Sequence, residues 1–216
     1  MAKRDYQNDY PSVTTILGVL RKIGLEWWYK TNTLAYIEEK SNRGKEIGTQ
    51  IHEAIQSYIE TGKASISTQY AEEVTYALKS FMLFKKEHPE ILLKRSEVPL
   101  TSEKYKFNGT LDCMGDIFIA DWKTGECKEK EKPVIYDEYL FQVSAYVNLW
   151  NEVNNANIDK AIIVCVAKDK IAYNLYEMNK QEIEICFNRV FLNALEIYYA
   201  QKTIATLRKE KQNGKV

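Results

Sequence analysis

Apolar residues change their spacing once along this chain, near residue 90. Before that point they recur every three or four residues, the period of a helix with one buried face. Ile47, Ile51, Ala54, Ile55 and Tyr58 form one such stripe. Its helix is predicted to begin after Asn42-Arg43-Gly44 and to end at Thr61, with Gly62 as the C-terminal cap. An earlier helix is predicted over 13–22, N-capped by Ser12 and stopped at Gly24. A second, over 25–40, carries Trp27, Trp28 and Tyr29, and a fourth covers 69–87 until Pro89 ends it.

Beyond residue 90 the period shortens. Residues 91–101, 106–114 and 117–123 are short runs rich in branched and aromatic side chains, with turn residues between them, and read as three strands. An amphipathic helix over 136–153 follows, then a hairpin of 161–167 with 171–177 across Lys168-Asp169-Lys170. A long helix over 180–209 ends the pattern. This order predicts an α/β fold, a mixed sheet flanked by helices. The expected organisation is a helical lobe over 1–90 and an α/β core over 91–216, forming one compact structural unit.

Composition narrows the function. The chain has 216 residues, and its 30 basic and 30 acidic side chains cancel. A protein that coats nucleic acid through a broad basic surface would carry a basic excess. An acidic metal site with a narrow basic track beside it is compatible with the balance. The longest apolar run, 161–167, is far shorter than a membrane span, and the first ten residues contain no hydrophobic signal segment. Cys113, Cys127, Cys165 and Cys186 form no Cys-x-x-Cys pair, which argues against an iron–sulfur cluster, a zinc ribbon or a disulfide framework. The expectation is a cytoplasmic protein that uses no membrane.

The chemistry concentrates between Gly109 and Gly125. With a tight turn at Gly115-Asp116, residue 112 faces 119, and Asp112 and Asp121 become diagonal neighbours on one face of a hairpin. Lys123 then points the same way as Asp121. Two carboxylates on an otherwise apolar strand pair repel unless neutralised, and a hard divalent cation, Mg²⁺ or Mn²⁺, is the usual solution. The triplet Asp121-Trp122-Lys123 is weak alone, since acid-x-Lys also occurs at Glu38-Glu39-Lys40 and Glu126-Cys127-Lys128. Its ordinary reading is an ion pair at a sheet end. Glu97, on the preceding strand, offers a third carboxylate or is an exposed strand residue. His52 sits about 100° from the middle of its helix's apolar stripe, with Gly48 one turn earlier. Gln142 and Tyr146 share a helix face one turn apart. His88, before Pro89, is given no role.

Taken in order, these motifs resemble the PD-(D/E)XK nucleases of the RecB-like branch, which includes mitochondrial genome maintenance exonucleases and phage exonucleases. Pro11-Ser12-Val13-Thr14-Thr15-Ile16-Leu17 looks like the opening of that exonuclease type. Gly48-Thr49-Gln50-Ile51-His52 matches the Gly-x-x-x-His helix motif. Gly109-Thr110-Leu111-Asp112 matches the strand of the first acid, and Asp121-Trp122-Lys123 the acid-x-Lys strand. Gln142-Val143-Ser144-Ala145-Tyr146 matches the Gln-x-x-x-Tyr motif.

The resemblance implies a restriction-endonuclease-like fold. It also implies metal ligation by His52, Asp112 and Asp121 with the backbone carbonyl of Trp122, and catalysis by Asp112, Asp121 and Lys123. Gln142 and Tyr146 would support the site or contact the substrate. The implied activity is a Mg²⁺- or Mn²⁺-dependent DNA exonuclease on single strands or free ends, in a bacterial or phage-infected cytoplasm, with a role in phage recombination or repair. The alternatives are a non-catalytic nucleic-acid-binding module on the same fold and a phosphoesterase with a non-DNA substrate.

Overall fold

Two apolar clusters, one on each face of a five-stranded sheet, organise the computed structural model. The structure describes residues 6, 8–20, 23–64, 66 and 69–213, with backbone alone at 23, 24 and 27. Helices α1 (Val13–Leu17), α2 (Ile23–Thr31), α3 (Leu34–Thr61) and α4 (Ala71–Glu87) come first. Strands β1 (Arg95–Ser102), β2 (Phe107–Met114) and β3 (Ile119–Gly125) follow, then α5 (Asp137–Asn154), β4 (Ala161–Ala167) and β5 (Tyr173–Met178). The chain closes with α6 (Lys180–Ile185), a π-helical turn (Cys186–Phe191) and α7 (Leu192–Gln212). Among the described residues no helix is long and apolar enough to cross a membrane.

Strand order follows the chain, and every neighbouring pair is antiparallel except β3–β4. A parallel pair needs a crossover connection, and α5 supplies it. This is the mixed sheet flanked by helices that the hydrophobic pattern predicts. All seven residues of β4 are buried, as expected of a strand covered on both faces. Pro99, which cannot donate to a ladder, lies on the edge strand β1.

The α3–α4 side packs Ile47, Ile51, Ile55, Phe81 and Phe84 against Cys113, Ala120 and Trp122. The other side packs Val13, Ile16, Val143, Leu149, Phe187 and Phe191 against Phe107, Leu111 and Ile119. Trp122 fixes β3 to the first cluster, with its ring edge-on to Phe81 at 5.3 Å and to Phe84 at 6.2 Å.

Several boundaries move from their predicted places. Ser12 caps α1 as expected, accepting from the Thr15 N–H at 3.1 Å, but the helix stops at Leu17 on Gly18. Lys22, its predicted end, lies outside the described residues, and Gly24 is inside α2 rather than after a helix. The predicted helix over 25–40 breaks at Asn32-Thr33, where the Thr33 hydroxyl accepts from the Tyr36 N–H and opens α3. From there α3 runs unbroken through Asn42-Arg43-Gly44 to Thr61, and Gly62 caps it with φ of 73°. A Cβ at Gly44 would meet nothing within 4 Å, so this glycine costs only helix propensity, about 1 kcal/mol. The final helix begins on an Asn179–Glu182 capping box and is interrupted by the π-turn, which the periodicity gave no sign of.

Gly109 is required by packing. A Cβ there would stand 2.8 Å from Leu149 Cδ2 and 3.0 Å from Tyr146 Cε1, where α5 presses on β2. Gly109→Ala is expected to destabilise the fold by about 1–3 kcal/mol through overpacking. Denaturant unfolding checks this, and an unchanged midpoint would mean that α5 sits further from β2.

Candidate active site

β2 and β3 pair only at Cys113–Ala120 and Met114–Ile119, and then separate. The connection is not a two-residue turn: residues 115–118 form the loop, closed by the Gly115 N–H donating to the Phe118 carbonyl at 3.0 Å. The register differs by two residues from the expected one, in which 112 faced 119. The difference is even, so parity survives, and Asp112 lies across from Asp121 one step past the last pair. There the strands diverge into a fork.

The fork is held by the acid itself. Asp112 Oδ2 accepts the Trp122 N–H at 2.9 Å, where a strand carbonyl would otherwise stand. Asp112 Oδ1 lies 3.6 Å from His52 Nδ1, which reaches over from α3. Gly48, one turn before His52, lies beside β3, where an added Cβ would be 3.8 Å from Thr124 Oγ1. Glu97 completes this side. It is skipped by the β1–β2 ladder between Ser96–Cys113 and Val98–Leu111, and its φ of 50° is rare for a residue with a side chain. His52, Glu97 and Asp112 bring one ligand atom each to within 4.8 Å of one another, the grouping expected of a divalent-cation site.

Asp121 lies next to this trio rather than within it. It is fully buried, and its Oδ2 is 2.5 Å from Lys123 Nζ. Its Oδ1 has no hydrogen-bond partner. Lys123 is itself mostly buried, with Nζ 5.4 Å from the centre of the Tyr139 ring on α5. Farther along α5, Gln142 Nε2 donates to Tyr146 OH at 2.8 Å. Tyr139 is a residue the sequence reading missed. Its signal was its place three residues before Gln142, on the same helix face.

Burial sets the charges in the fork. It lowers His52, but the Asp112 carboxylate outweighs it and holds the imidazole above its ordinary pKa. Burial also pushes Asp112 up, and His52, Lys123 and the Trp122 N–H overcome this to bring it down to about 2. For Asp121 burial prevails over Lys123, with the Asp112 charge adding to it, and the pKa rises to about 7. Lys123 is desolvated too, yet Asp121 and Asp112 raise it and keep it protonated. A cation between the acids would resolve this conflict. The unpartnered buried oxygen of Asp121 and the mixed imidazole–carboxylate donors fit Mg²⁺ or Mn²⁺.

No protein-family model matches the chain, and no curated protein matches its sequence. Solved structures do match. A protein designated an exonuclease, from Eubacterium rectale, is 13% identical and superposes over 79% of this chain and 69% of its own, with a TM-score of 0.52. The chain is also similar to an alkaline exonuclease from Laribacter hongkongensis, at 14% identity over 92% and 94% of the two chains with a TM-score of 0.39. A phage-related exonuclease from Haemophilus somnus is similar at 15% identity over 90% and 93%, again with a TM-score of 0.39. The first likeness establishes a shared fold, so the expected nuclease-like α/β architecture is the one observed.

Mn²⁺ at about a hundred times its dissociation constant is expected to stabilise the folded chain by about 2.7 kcal/mol, and Asp112→Asn to lose most of that gain. A proton would compete with a cation for His52 and for Asp121, both of whose pKa values are raised, so the gain is expected to grow as pH rises from about 6 to about 8. Thermal melts with and without Mn²⁺ at several pH values check both points.

Proposed function

We propose that this chain is a divalent-metal-dependent DNA nuclease of the PD-(D/E)XK type, acting as an exonuclease on single strands or free ends. One observation carries the reading. At the point where two strands part, a histidine, a glutamate and an aspartate converge beside the buried Asp121–Lys123 pair. The exonuclease fold of the similar structure supports it.

His52, Asp112 and Asp121 would hold the metal, with the Trp122 carbonyl as a further donor and Glu97 within reach of the same ion. Bound there, a divalent ion supplies Lewis acidity to a phosphoryl oxygen and lowers the pKa of a water. The chain's own groups do the rest. Lys123, held against Asp121 as an ammonium, is placed to offset negative charge developing on the phosphate in the transition state. Tyr139 shields that ammonium from water on the α5 side. Gln142 donates to the hydroxyl of Tyr146, which is buried in the core between α5 and β2, so this pair supports the site by fixing the face of α5 rather than offering the phenol to substrate. Asp112 has two tasks: one oxygen fixes the fork through Trp122, and the other faces His52 and the metal position.

Asp121→Ala and Lys123→Ala are each expected to reduce cleavage of labelled single-stranded DNA by at least about a hundredfold while leaving the fold intact by circular dichroism. Unchanged cleavage would overturn the assignment. With an imidazole among the donors, Mn²⁺ is expected to support cleavage at least as well as Mg²⁺. A clear advantage for Mg²⁺ at saturation would remove His52 from the metal. Cleavage of a generic phosphodiester that DNA does not inhibit would favour a phosphoesterase.

A further inference from the structure

β1 and β2 both turn over at the residues that bring carboxylates to the fork. The ladder pairs Ser96 with Cys113 and Val98 with Leu111, so Glu97 and Asp112 stand opposite each other at the step between. In a regular strand, residues two apart point to the same face. Here they do not. Cys113 packs in the α3–α4 cluster and Ser96 reaches α3, whereas Leu111 and Val98 pack in the cluster on the other face. On β1 the change of face is made by the φ of 50° at Glu97, a strained conformation that persists only where the surroundings impose it.

One contact does so from α3. The Ser96 hydroxyl donates to Glu60 Oε1 at 2.6 Å, and Gln56 Nε2 donates to the same oxygen at 3.0 Å. These bonds, that of Ser96 first, hold the Glu60 carboxyl below its ordinary pKa. A hydrogen bond to a carboxylate is stronger than one between neutral groups. Glu60 lies two turns beyond His52 on the same helix, about 12 Å along it. At one point α3 therefore supplies the imidazole of the metal site, and at another it grips the strand of Glu97. The place of Glu60 is otherwise unfavourable. It stands in the last turn of α3, where a negative charge opposes the helix dipole, and it is exposed, so the core does not require it.

We propose that Glu60, acting through Ser96, is the strut that holds Glu97 in the metal site. Without this bond the β1 backbone over 96–98 is free to return to regular alternation, which turns the Glu97 carboxylate away from His52 and Asp112. Glu60 is a positioning residue: it reaches the cation's place only by way of Ser96 and Glu97. This proposal rests on the metal-dependent nuclease reading of the same site and names the contact on which one of its donors depends.

The test measures the Mn²⁺ affinity of the full chain from the electron paramagnetic resonance signal of the free ion, with no DNA present. Glu60→Ala and Ser96→Ala are each expected to weaken Mn²⁺ binding about tenfold, the lower end of what losing an outer partner costs a metal site. The double variant is expected to lose no more than either single one, since both break the same bond. Glu60→Gln, which keeps an acceptor for Ser96, is expected to stay closer to the wild type. In a Glu97→Ala background, itself weaker than the wild type, Glu60→Ala is expected to change nothing further. Thermal melts without metal confirm that each variant is folded.

A folded Glu60→Ala with wild-type affinity overturns the strut. An equal loss from Glu60→Ala in the Glu97→Ala background also overturns it, because the bond then acts on the fold and not on Glu97. Either result leaves the nuclease reading standing where the wild type binds Mn²⁺ and cleaves DNA. A wild type that binds neither Mn²⁺ nor Mg²⁺ overturns both.

Discussion

Everything in the site follows from the early parting of two strands. β2 and β3 share only two residue pairs, and the position where a third would form is taken by a carboxylate. Asp112 replaces a ladder partner for the Trp122 N–H, so the fork is opened and satisfied by the same side chain. Trp122 is simultaneously held from the other direction, by Phe81 and Phe84 of α4. Its neighbours in sequence, Asp121 and Lys123, are thereby directed away from that cluster. An aromatic core contact on one face of β3 thus sets the position of the charged pair on the other.

The second constraint is electrostatic. Asp121 is fully buried with one oxygen unpartnered, and its charge is disfavoured although an ammonium touches it. A buried polar atom without a partner costs stability, so its presence beside three other potential ligands argues for a function. The backbone at Glu97 makes the same point independently. A glutamate held at φ of 50° has an uncommon conformation, and here it is the one that brings a third donor to His52 and Asp112. Strain and desolvation converge on one small volume of an otherwise well-packed molecule.

Much of this was legible in the sequence because periodicity reports burial. The shift from a helical to a strand period near residue 90 located the sheet, and β4 read as a strand from its unbroken apolar run. Local chemistry was less reliable. Gly44 resembled a helix boundary, but it faces open space and α3 passes through it, while the real boundary lay at Thr33, a residue type favoured at N-caps. Asp112, Asp121 and Lys123 are at the fork because an even shift in register preserves the face on which a strand residue lies, and His52 reaches Asp112 from α3. What the sequence could not convey were the positive φ of Glu97, the splaying of the strands and the return of the N-terminal segment to β2. Each depends on contacts between residues distant in the chain, such as Tyr6 with Thr110.

The most direct test of this account measures the metal's surroundings rather than the reaction. Pulsed electron paramagnetic resonance of the Mn²⁺-loaded chain reports nitrogen nuclei coordinated to the ion. The account predicts coupling to one imidazole nitrogen at neutral pH, present in the wild type and in His88→Gln and lost in His52→Gln. Mn²⁺ bound with no nitrogen coupling, or coupling that survives His52→Gln, would contradict it.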